Sequence, residues 1–350
     1  MCRITFEFEG DRDFSKKHST KSKFPVWSCI EFTKKCNFNC VYCFAGAKNT
    51  SPNELSTEEY EQYFEQLKNL GFKQVSLLGG EPILRKDFFE VARAAYDLGF
   101  VVHVCSNAST ITKDVAKKIK AAGVTQVQTN MDHILREKHD AIRGFKGSYD
   151  LLLKALKNLR ENEVPVVLAT IAMKSNKDVI PKIFEFARKN ASAYRVWDMM
   201  PCGRGAENRG EILSAKEYKE LMLRLIQFAK NAEVSLIRTA DPLIKLLDSN
   251  IMRGELKGGE CPAAKKMCYL DAEGNVSPCS MGADFCGNIR DAPLKEILES
   301  NAFSEKILKN KCTVPNCSFA AICRGGCYLR HINGVDQKCW TRERYAKIKA

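Results

Sequence analysis

No apolar run in this 350-residue sequence approaches the ~20 residues that a membrane-spanning helix needs. The N-terminus lacks the apolar core of a secretory signal, because residues 1–24 interleave Glu7, Glu9 and Asp11 with Lys16, Lys17 and Lys21. Internal repeats and low-complexity tracts are also missing. These absences leave a cytoplasmic chain, with no membrane partner, long enough for a catalytic domain and a smaller second one. Hydrophobic residues at 45% and charged residues at 28% are ordinary for a globular fold.

Cysteine is abundant. Sixteen of them in a reducing compartment point to metal ligation or redox work rather than disulfides. The formal charge of +13 invites a nucleic-acid reading. However, the bases recur at helix-face spacing, as in Lys117, Lys118 and Lys120, Lys154 and Lys157, or Lys306, Lys309 and Lys311. That pattern describes solvated helix surfaces and argues against a nucleic-acid partner.

Hydrophobic periodicity alternates strand and helix through residues 26–213. Strands are expected at 26–32, 74–78, 100–105, 125–129, 164–171 and 194–199. Helices are expected at 57–70 (with Ser56 as cap and Gly71 as stop), 87–98, 112–122, 147–162 and 177–190. The fold class is therefore α/β: a partial (β/α)6 TIM-type barrel of parallel strands, with chemistry at the strands' C-terminal ends. Residues 1–25 read as an extension, 214–253 as a helical connection, and 254–350 as a small cysteine-built domain with a thin apolar core. The segment 204–210 reads as an exposed linker.

Cys36, Cys40 and Cys43 form a C-x3-C-x2-C loop. Three thiolates on one loop suit three irons of a [4Fe–4S] cubane and leave the fourth iron open. The alternatives are a zinc site, which has no fourth ligand before His103, and plain buried thiols. The loop, with Tyr42 before its third cysteine, resembles the signature of the radical SAM superfamily. That resemblance implies S-adenosylmethionine on the open iron and its reductive cleavage to a 5′-deoxyadenosyl radical. It also implies that Gly79, Gly80 and Glu81, in a GGEP segment, hold the methionine ammonium, and that Ser106 and Asn107 contact the methionyl end. Asn130 and Asp132 fall near the ribose, and Arg143 faces the SAM carboxylate. For His139 and Arg143 the alternative is a helix start bonding its own neighbours. Cys29 and Cys105 read as buried thiols within strands.

The C-terminal cysteines, C-x12-G-x4-C from Cys261 through Gly274 to Cys279, then Cys312, Cys317, Cys323, Cys327 and Cys339, resemble the SPASM extension of radical SAM enzymes. The resemblance implies two auxiliary [4Fe–4S] clusters. Cys261, Cys268, Cys279 and Cys327 would hold the near one, and Cys312, Cys317, Cys323 and Cys339 the outer one. Cys286 is left over, either as a buried thiol or as a substitute for Cys268. Two zinc sites are the rival, and these irregular gaps fit them less well.

The same resemblance implies an anaerobic oxidoreductase, a peptide or protein maturase, fed by ferredoxin or flavodoxin. Ser280 stands where sulfatase-maturating enzymes carry Asp. Some 25 residues precede the first expected barrel strand, whereas many peptide maturases add a leader-binding domain of about 80–90. The expectation is therefore a substrate without a leader, or a leader bound by another protein. The alternative is a tetrapyrrole or other cofactor precursor, whose carboxylates a basic surface would suit. Asp198, Glu207 and Tyr328 are polar candidates by position only.

Overall fold

The computed structural model describes residues 3–8, 23–232, 234–247, 256–258, 261–282, 284–308 and 312–340. The charged stretch at 9–22, the expected domain boundary near 254, and Lys309 and Lys311 lie outside the described residues.

Strand β1 (Arg3–Glu7) precedes the repeating unit. The unit runs β2 (Trp27–Glu31), α1 (Thr57–Asn69), β3 (Gln74–Leu78), α2 (Phe88–Asp97), β4 (Val101–Cys105), α3 (Lys113–Ala121), β5 (Val124–Asn130), α4 (Arg136–Arg143), α5 (Ser148–Glu161), β6 (Val166–Ala172), α6 (Ile180–Asn190) and β7 (Ala193–Asp198). Strands β2 to β7 lie in sequence order and all run parallel. Ser56 and Glu59 form a reciprocal capping box at the start of α1. Tyr60, Tyr63, Phe64 and Leu67, spaced for one helix face, pack that helix into the core outside the sheet.

Alternation along each strand sends Val75, Leu77, Val102 and Val104 to that outer core. It turns Gln74, Ser76, His103, Cys105, Gln126, Gln128 and Asn130 inward, where they line an open bore. A polar interior of this kind stays hollow, in contrast to the packed layers of a closed barrel.

The sheet is a partial barrel: twelve strands in one row, not a ring. At one end β1 runs antiparallel between β7 and β8 (Leu236–Thr239), with Arg3 opposite Trp197. Arg3–Glu7 thus joins the barrel wall instead of forming part of an extension. Strand β9 (Leu256–Gly258) lies outside β8. At the other end β10 (Met267–Leu270) pairs in parallel with β2, followed by β11 (Asn275–Ser277) and β12 (Gly287–Asn288). The first half of the cysteine-rich region therefore continues the barrel's own sheet.

Helices α7 (Arg204–Glu207) and α8 (Ala215–Asn231) follow β7, and α9 (Leu294–Glu299), α10 (Asn301–Leu308) and α11 (Ala320–Cys323) come after β12. The chain then forms a small hairpin, β13 (His331–Ile332) and β14 (Val335–Asp336). A buried ion network ties this hairpin to the barrel. Arg330 reaches Asp198 at 3.1 Å, Asp241 at 3.0 Å and Asp336 at 2.7 Å, and Lys338 Nζ lies 3.2 Å from Asp198. Asp198 is thereby committed to the domain junction.

Candidate active site

The loop carrying Cys36, Cys40 and Cys43 lies across the C-terminal ends of β2 and β3. Backbone pairing fixes it there: Gly80 N–H donates to Thr33 O at 2.7 Å and Glu81 N–H to Lys35 O at 2.7 Å. A Cβ on Gly80 would stand 2.0 Å from Lys35 O, so only glycine permits this approach. From below, Asn39 N–H and Val41 N–H donate to Arg143 O and Ile142 O at the end of α4.

A third clamp comes from the segment expected as a linker. Arg204 donates from its backbone N–H to Cys43 O at 2.9 Å, and from Nε to Cys40 O at 2.8 Å. Asn208 Nδ2 adds a bond to Val41 O at 3.1 Å. The sequence gives neither residue this role, because the contact spans some 160 positions and neither belongs to a local motif.

All three cysteines border one cavity of about 680 Å³, together with Tyr42, Gly79, Gly80, Ser106, Asn107, Asn130 and Arg143. Two other residues expected at the cofactor do not line it. Glu81 is fully buried, accepting from Ser106 Oγ at 2.8 Å and from Asn107 N–H at 2.6 Å. Burial lifts its carboxyl to about 7, against the pull of those bonds. Asp132 is also fully buried; it accepts from Tyr42 Oη at 2.6 Å and Ile171 N–H at 3.1 Å, and lies 3.5 Å from Arg143. Both carboxylates therefore sit behind the cavity wall and orient the residues that form it. Arg143 also donates to Tyr42 Oη, and its guanidinium stands 5.3 Å from the Phe38 ring. His139, inside α4, accepts from Asp132 N–H at 3.2 Å, a local structural bond.

The loop suits an iron–sulfur cluster. Phe38 N–H and Asn107 Nδ2 point at Cys36 Sγ, at 3.4 and 3.9 Å, as donors to a thiolate do. Burial pushes the Cys40 thiol up to about 11, so a bound metal's positive charge is what would hold it ionised. No three His, Cys, Asp or Glu side chains among the described residues converge tightly enough for a single ion. Cubane thiolates stand at separate corners, one per iron, and need not converge on one point.

Two further groups of thiols gather in the C-terminal region. Burial raises the Cys279 thiol, and Cys327 and Cys261 add to the shift. Likewise burial, then Cys339, Cys312 and Cys317, raise Cys323. Cys268 is not brought to the first group. It faces the outer core, its Sγ 3.7 Å from Tyr63 Oη, because its neighbours Met267 and Tyr269 take the inner side of β10 with Cys29. Cys286 donates to Asp284 O and Ala302 O and packs on the main core. Tyr328 borders the first group, near Cys279, Cys327 and Cys261, and Glu207 closes the short α7.

Away from the loop the bore is cationic. Arg3, Arg195 and Arg238, on three adjacent strands, line it along with Lys265 and Lys266. Arg3 stacks over Trp197 at 4.9 Å; burial, and then Arg195, draw its guanidinium down to about 9. Of the two carboxylates at the wall, Glu7 pairs with Arg238 at 2.7 Å and Asp198 with the junction.

Residues 30–187 match the radical SAM superfamily, and residues 261–328 match SPASM, an iron–sulfur cluster-binding domain. The AdoMet-dependent heme synthase of Methanosarcina barkeri is 30% identical over 318 residues, covering 84% of this chain and 89% of that protein. The mycofactocin maturase MftC of Mycolicibacterium smegmatis is 26% identical, covering 90% and 82%. Among solved structures, Streptococcus suis SuiB bound to precursor peptide SuiA superposes with a TM-score of 0.71 at 17% identity, over 90% of this chain and 74% of that one. The cysteine loop, the parallel strand ends around it and these matches agree: the chain belongs to the radical SAM superfamily and carries a SPASM domain, and its cofactors are [4Fe–4S] clusters and S-adenosylmethionine.

Proposed function

We propose that this enzyme oxidises a carboxylate-bearing side chain of a tetrapyrrole. The observation that carries the reading is the cationic bore beside the cysteine loop, whose arginines face inward from adjacent strands. Arg3 and Arg195 act on each other as like charges, and an anionic side chain in the bore would offset that. The near-full-length similarity to a heme synthase supports the same substrate class.

In this reading Cys36, Cys40 and Cys43 hold the first cluster, and SAM lies along Tyr42, Gly79, Gly80, Ser106, Asn107, Asn130 and Arg143. With SAM bound, that cluster supplies the 5′-deoxyadenosyl radical that takes a substrate hydrogen. Arg143, fixed by Asp132 and Tyr42, presents a rigid positive charge to the SAM carboxylate. Glu81 sets the positions of Ser106 and Asn107, and the bore arginines orient the substrate's acid groups. Removing a hydrogen atom and then carbon dioxide from a propionate leaves one surplus electron. Two C-terminal clusters provide for it: Cys261, Cys279 and Cys327 belong to the near one, and Cys312, Cys317, Cys323 and Cys339 to the outer one. A ferredoxin or flavodoxin is the donor for SAM cleavage.

A peptide side chain is the second reading, favoured by the identity to MftC. Absorbance titration of an iron porphyrin bearing free propionates separates the two. Exchanging Arg3 and Arg195 together for Gln should weaken binding at least about tenfold, the scale of one lost charge-assisted hydrogen bond. The methyl-ester porphyrin should bind both forms alike. Equal binding of acid and ester by the unaltered enzyme would sink the reading.

A further inference from the structure

With Cys268 turned to the outer core and Cys286 bonded elsewhere, the near thiol group, taken as a cluster site in the proposed function, has three members. Cys268 cannot simply turn inward. Strand β10 is held to β2 over four residues, from Met267 opposite Trp27 to Leu270 opposite Ile30, and a one-residue slip would force Met267 and Tyr269 into the places that Cys268 and Leu270 fill in the outer core.

A fourth thiol comes from the barrel. Cys202 follows β7 and packs against Met200 and Cys327. The turn that carries it has little freedom. Cys202 N–H donates to Met200 O at 2.9 Å, Arg204 N–H is tied to Cys43 O, and a Cβ on Gly203 would meet Cys43 O at 2.3 Å. Gly203 has a φ of +52°, a conformation that glycine adopts without strain. The thiols that surround Cys202 belong to both sites: Cys279 and Cys327 of the near group, and Cys43 of the loop.

We propose that Cys202 is the fourth ligand of the near auxiliary cluster, completing the set of Cys261, Cys279 and Cys327. A site built this way is closed, with one thiolate per iron, so it suits electron transfer rather than substrate ligation. It also staples the C-terminal domain to the end of β7, one residue from the turn that clamps the SAM-site loop.

The test uses the full chain, reconstituted anaerobically with Cys36, Cys40 and Cys43 all exchanged for Ala, so that only C-terminal clusters report. This parent should bind about eight irons per chain. Adding Cys202→Ser should lower iron by about one to four per chain and change the near cluster's EPR signal. The outer cluster's unchanged signal shows that the variant has folded. Cys202→Ala should behave in the same way, whereas Cys268→Ser should leave iron and spectrum as in the parent. A parent with about eight irons whose content and spectrum ignore Cys202→Ser would overturn the Cys202 assignment alone. A parent with about four would overturn the two-cluster reading, and this assignment with it.

Discussion

Gly80 fixes where the cysteine loop lies, because its missing side chain lets the Lys35 carbonyl press directly on the backbone. The obstacle to a methyl group there is main chain, which cannot rotate away. Gly80→Ala should therefore displace the loop and remove about four irons per chain while the C-terminal cluster signals persist. Iron analysis showing the full complement would contradict that. The cysteines, the two glycines and the Ser106–Asn107 pair were legible in the sequence because each is a contiguous pattern at a strand end. Arg204, Asn208 and Arg3 were not, since their roles depend on segments brought together only by folding. Glu31 carries a pH dependence: burial raises it to about 7, against a weak bond from Ala272 N–H at 3.4 Å, the charge of Lys34 and a bond from Tyr269. Between the ordinary carboxyl value of 4.5 and about 7, the folded chain holds a proton that the unfolded chain has released. The stability contributed by the neutral form is full below 4.5 and is lost as the pH rises through 7. Glu31→Gln should flatten this decline. Urea midpoints taken near pH 5 and near pH 8 would show it, and an unchanged slope would refute it.

At the level of elements, the six parallel strands and the helices between them, α4 (Arg136–Arg143) excepted, follow from hydrophobic period and caps. Expected and observed ends differ by only a few residues, as in 57–70 against Thr57–Asn69. The short strands escaped notice. Strand β1 lies among charged residues, and β10 to β12 are two to four residues long, too brief for a period to register. That is also why Cys268 was expected at a cluster: its facing is set by the pairing of β10 with β2, which spacing does not reveal. The hairpin's Arg330 makes a further test. It neutralises Asp198, Asp241 and Asp336 with almost no solvent contact, so Arg330→Met leaves buried carboxylates with too little positive charge. The expected loss is about 3–5 kcal/mol, measured by denaturant unfolding of the reconstituted protein. A change under about 1 kcal/mol would mean that the junction is more solvated than its geometry implies.

Across the whole molecule, the formal charge of +13 acquires a location. Part of it lines the bore, where no surface pattern would have placed it, because inward residues of a polar strand look like any alternating charge. The bore runs to the cysteine loop, where the acidic ligand of the proposed function would meet it. The central question is what the radical acts upon. The direct measurement is product analysis after anaerobic turnover with SAM, dithionite and a propionate-bearing iron porphyrin. Expected are 5′-deoxyadenosine and carbon dioxide in about equal amounts, a porphyrin lighter by one hydrogen and one carboxyl group for each side chain oxidised, and none of these from Cys36→Ala. An unaltered porphyrin beside a peptide that does become oxidised under the same conditions would contradict the proposed function.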